Sequence, residues 1–240
     1  MTGDPAGRIT AATADGPPFH GVVFDMDGIV GDTEHLWDLS WAAYAQAHHT
    51  PWQHEDSVDT MGMSVPEWSA RLVERTGSGE TAEQAADFCV QYIVGRVRAG
   101  EAGLMPGGPE LVRFAASRVP IALATSSARP IIEVLLADGG LDRLFGAVVT
   151  SAEVPRGKPS PDVYLEAARQ IGLSGRAGIG IEDSGNGIRS AHGAGLYVIA
   201  IPNRQFPPRP EALALAHHVA QDHADALAHL TGLLADPAAT

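Results

Sequence analysis

Four short apolar runs punctuate the chain: GVVFD (21–25), PIALAT (120–125), AGIGIED (177–183) and LYVIAI (196–201). FGAVVTS (145–151) is a fifth. Each is of strand length and apolar throughout rather than alternating, the pattern of strands buried on both faces of a parallel sheet. The segments between them carry helical patterning. SPDVYLEAARQIGL offers Ser160 as N-cap, Pro161 at the first helical position and Gly172 near the end. GGPELVRFAASRV has an apolar stripe at Leu111, Phe114 and Ala115. Strands alternating with helices predict an α/β fold, a doubly wound parallel sheet.

Residues 34–104 break the alternation. They hold no convincing strand but three helical stretches, EHLWDLSWAAYAQAHH, SVPEWSARLVERT and TAEQAADFCVQYIVGRVRAG. The last two open on capping boxes, Ser64 with Glu67 and Thr81 with Gln84. The expected organisation is a flexible Gly/Pro/Ala/Asp-rich tail over 1–18, a core domain built from 19–33 and 105–240, and an inserted α-helical cap subdomain over 34–104. The insertion would cover the carboxyl edge of the sheet, where such folds bind ligands.

Composition narrows the partners. A net charge of −13 on 240 residues argues against nucleic acid, whose binding depends on neutralising phosphates. Mean hydropathy is near zero, and no run approaches the roughly 18 apolar residues of a membrane span. The opening MTGDPAGRITAATADGPPFH has no apolar core of signal-peptide length, and the single cysteine, Cys89, allows no internal disulfide. A cytoplasmic protein without membrane association is expected, either monomer or homodimer, with Cys89 an inert buried thiol on a helix. Both histidine pairs, His48–His49 and His217–His218, read as solvated helix ends.

Acidic residues collect where predicted strands end. Asp25 and Asp27 leave the first strand two residues apart, followed by Gly28; Glu182 and Asp183 leave the fourth. Asp and Gly together also make ordinary turns, and acids after a strand also cap helices. Adjacent strands would nevertheless bring all four acids to one place, where they repel unless a proton or cation intervenes. Oxygen donors of this kind suit Mg²⁺, and no Cys/His cluster suggests zinc. IALATSSAR ends a strand in Thr125, Ser126 and Ser127, hydroxyls at a helix start that serve equally as an N-cap or an anion site. Lysine is used once: the chain has 16 Lys+Arg, and Lys158 leaves fifteen arginines. A slim ammonium reaches into a crowded site that a planar guanidinium does not fit, unless the lone lysine is a leftover of composition drift.

DMDGIVGDTE, ALATSS, RGKPSPDVY and IEDSGNGIRSAHGAG, in that order between Phe24 and Ala200, resemble the four motifs of the haloacid dehalogenase superfamily of phosphotransferases. The helical insertion is similar to the cap of its β-phosphoglucomutase-like branch. The resemblance implies Asp25 as the nucleophile, forming an aspartyl-phosphate, and Asp27 as general acid and then base. It implies Mg²⁺ held by the Asp25 and Asp183 carboxylates and the Asp27 carbonyl, with Glu182 orienting metal-bound water. Thr125 and the Ser126 N–H would bind the substrate phosphate together with Lys158.

The activity this implies is hydrolysis of a small phosphorylated metabolite, of sugar-phosphate type. The branch's mutases place a histidine and an arginine where this chain has Trp37 and Val65. A sugar-phosphate mutase is therefore the less favoured reading, and a non-catalytic phosphometabolite-binding protein a third. Trp37, Met61, Met63 and Trp68 either line the substrate pocket through the cap or form its ordinary core.

Overall fold

The computed structural model describes residues 19–60, 63–173 and 177–235. Six parallel strands form one sheet: β1 (Gly21–Phe24), β2 (Ile121–Thr125), β3 (Ala147–Thr150), β4 (Gly178–Glu182), β5 (Tyr197–Ala200) and β6 (His218–Val219), in the order β3-β2-β1-β4-β5-β6. The five predicted strands are the first five of these, each trimmed by one to three residues. β1 sits at the centre, pairing Val22 with Ile121 on one side and with Ile179 on the other. The strand order reverses there, so the loops leaving β1 and β4 open onto a crevice at the carboxyl edge.

Alternate strand residues feed two apolar layers. Val22 and Phe24 pack with Leu123, Ile181 and Ile199 beneath α5 (Gly108–Ala116), α6 (Arg129–Asp138) and α10 (His223–Leu233). Val23 packs with Ala124, Val149 and Val198 beneath α7 (Asp162–Gln170) and α8 (Gly185–Gly193). Both faces of the sheet are covered, which is why the strand sequences show no polar alternation. A short helix, α9 (Pro210–Leu213), precedes β6.

Between β1 and α5 lie α1 (Glu34–Ala47), α2 (His54–Thr60), α3 (Val65–Thr76) and α4 (Ala82–Arg98), an all-helical insertion. α4 packs on α1 and α3 within the insertion and on α6 of the core. The Thr81 box is complete: the Gln84 N–H donates to Thr81 Oγ1 at 3.2 Å and the Thr81 N–H to Gln84 Oε1 at 2.9 Å. At the start of α3 the Ser64 N–H donates to the Glu67 carboxylate at 2.8 Å. The chain enters and leaves the insertion side by side, the Asp32 N–H donating to the Gly103 carbonyl (3.0 Å) and the Met105 N–H to Val30 (2.8 Å). Cys89 is buried in α4, and burial pushes its thiol up to about 12.

Two local readings differ from the structure. α7 begins at Asp162, one residue later than Ser160 as N-cap implies, and the Ser160 hydroxyl donates to the Asp162 carboxylate instead (2.7 Å). His217 and His218 are no solvated helix end. His218 belongs to the edge strand β6 and stacks on His229 at 3.8 Å, while His217 Nδ1 accepts the Val198 N–H at 3.0 Å. A two-residue strand carries too little pattern to read in advance. The tail over 1–18 and Met61 lie outside the described residues. Among the described residues, no helix is long and apolar enough to cross a membrane.

Candidate active site

The strand ends deliver the acids together. The Asp25 N–H continues the ladder onto the Ile181 carbonyl (2.9 Å), which holds Asp25 beside Glu182 and Asp183 at the end of β4. One carboxylate oxygen from each of the three lies within 4.8 Å of the other two, and all three side chains are buried. Gly28 makes this proximity feasible: at φ +75° it takes a left-handed turn, and a Cβ there would overlap the Asp183 carboxylate.

Lys158 reaches this cluster from the loop before α7. Its Nζ lies 2.6 Å from Asp25 Oδ1 and 2.6 Å from Glu182 Oε1, with the ammonium 5.1 Å from the centre of the Tyr164 ring. The side chain is only 7% exposed, so a slim stem in a crowded slot is what the structure shows. Burial by itself would push the ammonium down, but the two carboxylates outweigh it and leave its pKa above the ordinary value.

Glu182 is the most heavily bonded acid of the group. Oε1 accepts from Lys158 and from the Tyr164 hydroxyl (3.0 Å), and Oε2 from the Asp183 and Ser184 N–H groups and the Ser184 hydroxyl (3.0–3.1 Å). The carboxylate lies against Gly187, where any Cβ would occupy its space. Asp25 and Asp183 have their pKa values raised well above the carboxylate range, first by burial and then by Glu182.

Asp27 is half-buried and gripped by two hydroxyls: Thr33 donates to Oδ1 and Ser127 to Oδ2 at 2.6 Å. Thr125 is fully buried below them, its Oγ1 accepting the Ser127 N–H at 2.9 Å. Ser126 faces a cavity and pairs with the Ser151 hydroxyl at 3.1 Å. That cavity, of about 120 Å³, runs from the acids to the insertion. Asp25, Asp27, Ser126, Ser127, Lys158, Asp183, Ser184 and Asn186 line its floor, and Glu34, Trp37, Trp41, Met63 and Trp68 its sides. Of the predicted site residues, Thr125 and Glu182 are not on the cavity surface but directly behind it.

Several residues in and behind the cavity wall carried no sequence signal. Asn203, in the loop after β5, donates its side-chain amide to Glu34 and to Asp183 (3.2 Å), joining the insertion to the acidic edge. Burial and neighbouring acids push Glu34 up to about 7, against the Asn203 hydrogen bond. Tyr164 and Trp41 belong to helical apolar stripes, indistinguishable there from ordinary core. An asparagine after a strand marks a turn in most proteins.

A crevice at the switch point of a parallel sheet, with four acids from two strand ends and one buried lysine beneath a helical insertion, defines a class of phosphoryl-handling α/β enzyme. The comparisons agree: residues 19–195 match the haloacid dehalogenase-like hydrolase family, and the chain belongs to it. It is 34% identical over 192 residues to Protein CbbY of Rhodobacter capsulatus, covering 76% of this chain and 85% of that protein. It is 32% identical to a probable pseudouridine-5'-phosphatase of Drosophila melanogaster, covering 75% and 80%. A variant of CbbY from Rhodobacter sphaeroides, solved in complex with xylulose-(1,5)bisphosphate, superposes with a TM-score of 0.76 at 25% identity, over 86% of this chain and 96% of that one.

Proposed function

We propose that the chain is a Mg²⁺-dependent phosphatase that hydrolyses a small phosphorylated metabolite through an aspartyl-phosphate on Asp25. The observation that carries this reading is the buried pairing of Lys158 with Asp25 and Glu182 at 2.6 Å each. A protein that only bound phosphate has no use for a nucleophilic carboxylate held against a lysine. In this reading residues 34–104 act as a cap on the core of 19–33 and 105–240.

The donor set fits a hard divalent ion. Asp25, Glu182 and Asp183 each offer a carboxylate oxygen within 4.8 Å of the other two, and Asp27 and Glu34 line the same cavity, so the acids gathered there offer oxygen ligands. Asp25 and Asp183 would hold Mg²⁺ through their carboxylates and Asp27 through its backbone carbonyl, with Glu182 as the fixed acid behind them. When bound, the ion supplies positive charge that offsets the crowded acids and a phosphate dianion.

The chain's own residues divide the remaining work. A carboxylate oxygen of Asp25 forms a bond to phosphorus as the ester P–O bond breaks, and Asp27 gives a proton to the departing alcohol oxygen. Asp27 then takes a proton from a water whose oxygen attacks the phosphorus, and the acyl-phosphate P–O bond breaks, releasing phosphate and restoring Asp25. Thr33 and Ser127 aim Asp27 by holding both of its oxygens. Lys158 and Ser126 bind the phosphoryl oxygens, with the predicted Thr125 held behind the surface where its hydroxyl supports the Ser127 N–H, and Lys158 offsets the charge that spreads over them in the transition state. Glu182, bonded by five donors, keeps Lys158 in place.

The test is phosphate release from a panel of phosphorylated sugars, polyols, nucleotides and acids, with Mg²⁺ or chelator, using Asp25→Asn as the blank. Release that requires both metal and Asp25 is expected. Interconversion of hexose 1- and 6-phosphates without net release would establish a mutase instead. Mutase chemistry needs a grip on a distal phosphate, and here Arg71 and Arg75 are paired with Asp59 and Asp56 at 2.9 Å each.

A further inference from the structure

The wall of the cavity opposite the acids is aromatic. Three of the chain's four tryptophans meet there, with ring centres 5.6 Å apart for Trp37–Trp68, 6.1 Å for Trp41–Trp68 and 6.4 Å for Trp37–Trp41. Met63 extends the surface. Their planes are tilted by 36–60° to one another, so they form an angled apolar wall, exposed mainly through Trp37, rather than a flat platform or a cage.

What the wall omits is as informative. Among the described residues lining the cavity, Lys158 is the sole cation, and it is taken up by Asp25 and Glu182. The insertion's nearby cations are engaged elsewhere: Arg71 with Asp59, Arg75 with Asp56, and the half-exposed His35 3.7 Å from Asp32. Glu34 adds an acid at the edge of the wall, beside Asp183 through Asn203. A second phosphate or carboxylate on the substrate would meet apolar rings and like charge. A flexible polyol would leave most of its hydroxyls without partners on the wall. The Trp41 Nε1–H, buried and without a hydrogen-bond partner, is the one unmet donor the rings carry.

We propose that the substrate is a monophosphate whose leaving group is uncharged and carries an apolar ring that packs against the wall of Trp37, Trp41 and Trp68. This rests on the phosphatase reading for the position of the phosphate, on the Asp25 side. A ring gains most from such a wall because edge-to-face and offset contacts add to burial. The selectivity is the reverse of that needed for a bisphosphate such as the one bound to the CbbY variant.

The test uses probes that differ only in what reaches the wall. Asp25→Asn protein, which binds without turnover, is titrated in Mg²⁺ with methyl phosphate, phenyl phosphate, glucose 1-phosphate and glucose 1,6-bisphosphate, following tryptophan fluorescence. Phenyl phosphate is expected to bind at least about tenfold more tightly than methyl phosphate and to quench the tryptophans. Glucose 1-phosphate is expected to bind at least about tenfold more tightly than its bisphosphate. Trp68→Ala in the same background should bring the phenyl-to-methyl ratio close to one.

Should Trp68→Ala fail to fold, Met63→Arg, on the half-buried stretch before α3, gives the complementary result by strengthening bisphosphate binding severalfold. Equal affinity for phenyl and methyl phosphate, or a bisphosphate bound as tightly as the monophosphate by the unaltered wall, overturns the proposal. Hydrolysis of acetyl phosphate by the unmutated protein tests the phosphatase reading separately, since that leaving group is too small to reach the tryptophans. Turnover there combined with no ring preference sinks the wall proposal alone.

Discussion

The acidic edge and the tryptophan wall face each other across one cavity and are held by opposite physics. At the edge, Asp25, Glu182, Asp183 and Lys158 are buried charges whose positions are set by short directional bonds and by glycines that leave them room. Such clusters stabilise little: the desolvation of each ion roughly offsets the attraction, and removing one member strands the rest. The wall is the reverse. Trp37, Trp41 and Trp68 are each under a tenth exposed and also belong to the main apolar core, so the surface that meets substrate also holds the insertion together. Changes at the edge should therefore act first on turnover, with stability lost only where a buried charge is left without a partner, and changes at the wall on both affinity and folding.

The largest expected effect is at Asp25, the proposed nucleophile. Asp25→Asn should lower phosphate release by at least about a thousandfold. Its melting temperature should not fall, because a neutral amide replaces one of several mutually repelling buried acids. A variant with lost activity and a markedly lower Tm would mean that Asp25 is chiefly structural, and the contrast between the regions would fail.

Lys158→Met should be inactive and also less stable, by about 3 kcal/mol, since Asp25 and Glu182 would lose their shared cation. Lys158→Arg should not restore turnover, because the slot admits a stem and not a fork. Urea unfolding with parallel assays separates the two quantities. Full activity in the arginine variant would return the lone lysine to composition drift.

A smaller effect concerns the ion. Mg²⁺ at about 100 times its dissociation constant should stabilise the fold by about 2.7 kcal/mol. Asp183→Asn should abolish the thermal shift while leaving the metal-free Tm close to that of the unmutated protein. A shift that persisted in Asp183→Asn would place the ion elsewhere.

The smallest concerns the fold beneath both regions. His223 Nε2 lies 2.9 Å from the Ile29 carbonyl, and burial pushes the imidazole below its ordinary value of 6.5, against the pull of that carbonyl, Asp222 and Glu110. A folded-state value below the unfolded one means stability that is complete above about pH 6.5 and drains away as pH falls towards the folded value. Urea midpoints should decline over that window, and His223→Gln should flatten the decline. An unchanged slope would remove His223 from the balance.

The legible part of this molecule is the part built from local pattern. β1, β2, β4 and β5 announce themselves because strands covered on both faces must be apolar at every position. Asp25, Asp27, Glu182 and Asp183 stand out because paired acids directly after apolar strands break the local pattern. Lys158 stood out by its rarity. What eluded sequence reading lay across the fold: Glu34 and Asn203 meet although far apart in the chain, and neither type is unusual where it stands. Trp41 read as one more apolar helix position because burial in a core and exposure to a cavity leave the same periodicity.

The sequence by itself thus determined the sheet, the helical insertion and the acids and lysine of the motifs, since each depends on residues near one another in the chain or on a period that repeats along it. Only the tertiary structure decided that Glu182 and Asp25 share Lys158, that Thr125 lies behind the surface and Ser127 holds Asp27, and that three tryptophans from two helices meet as one face. Those facts are relations between distant segments, fixed by how helices pack on a sheet, and no stretch of sequence read alone contains them.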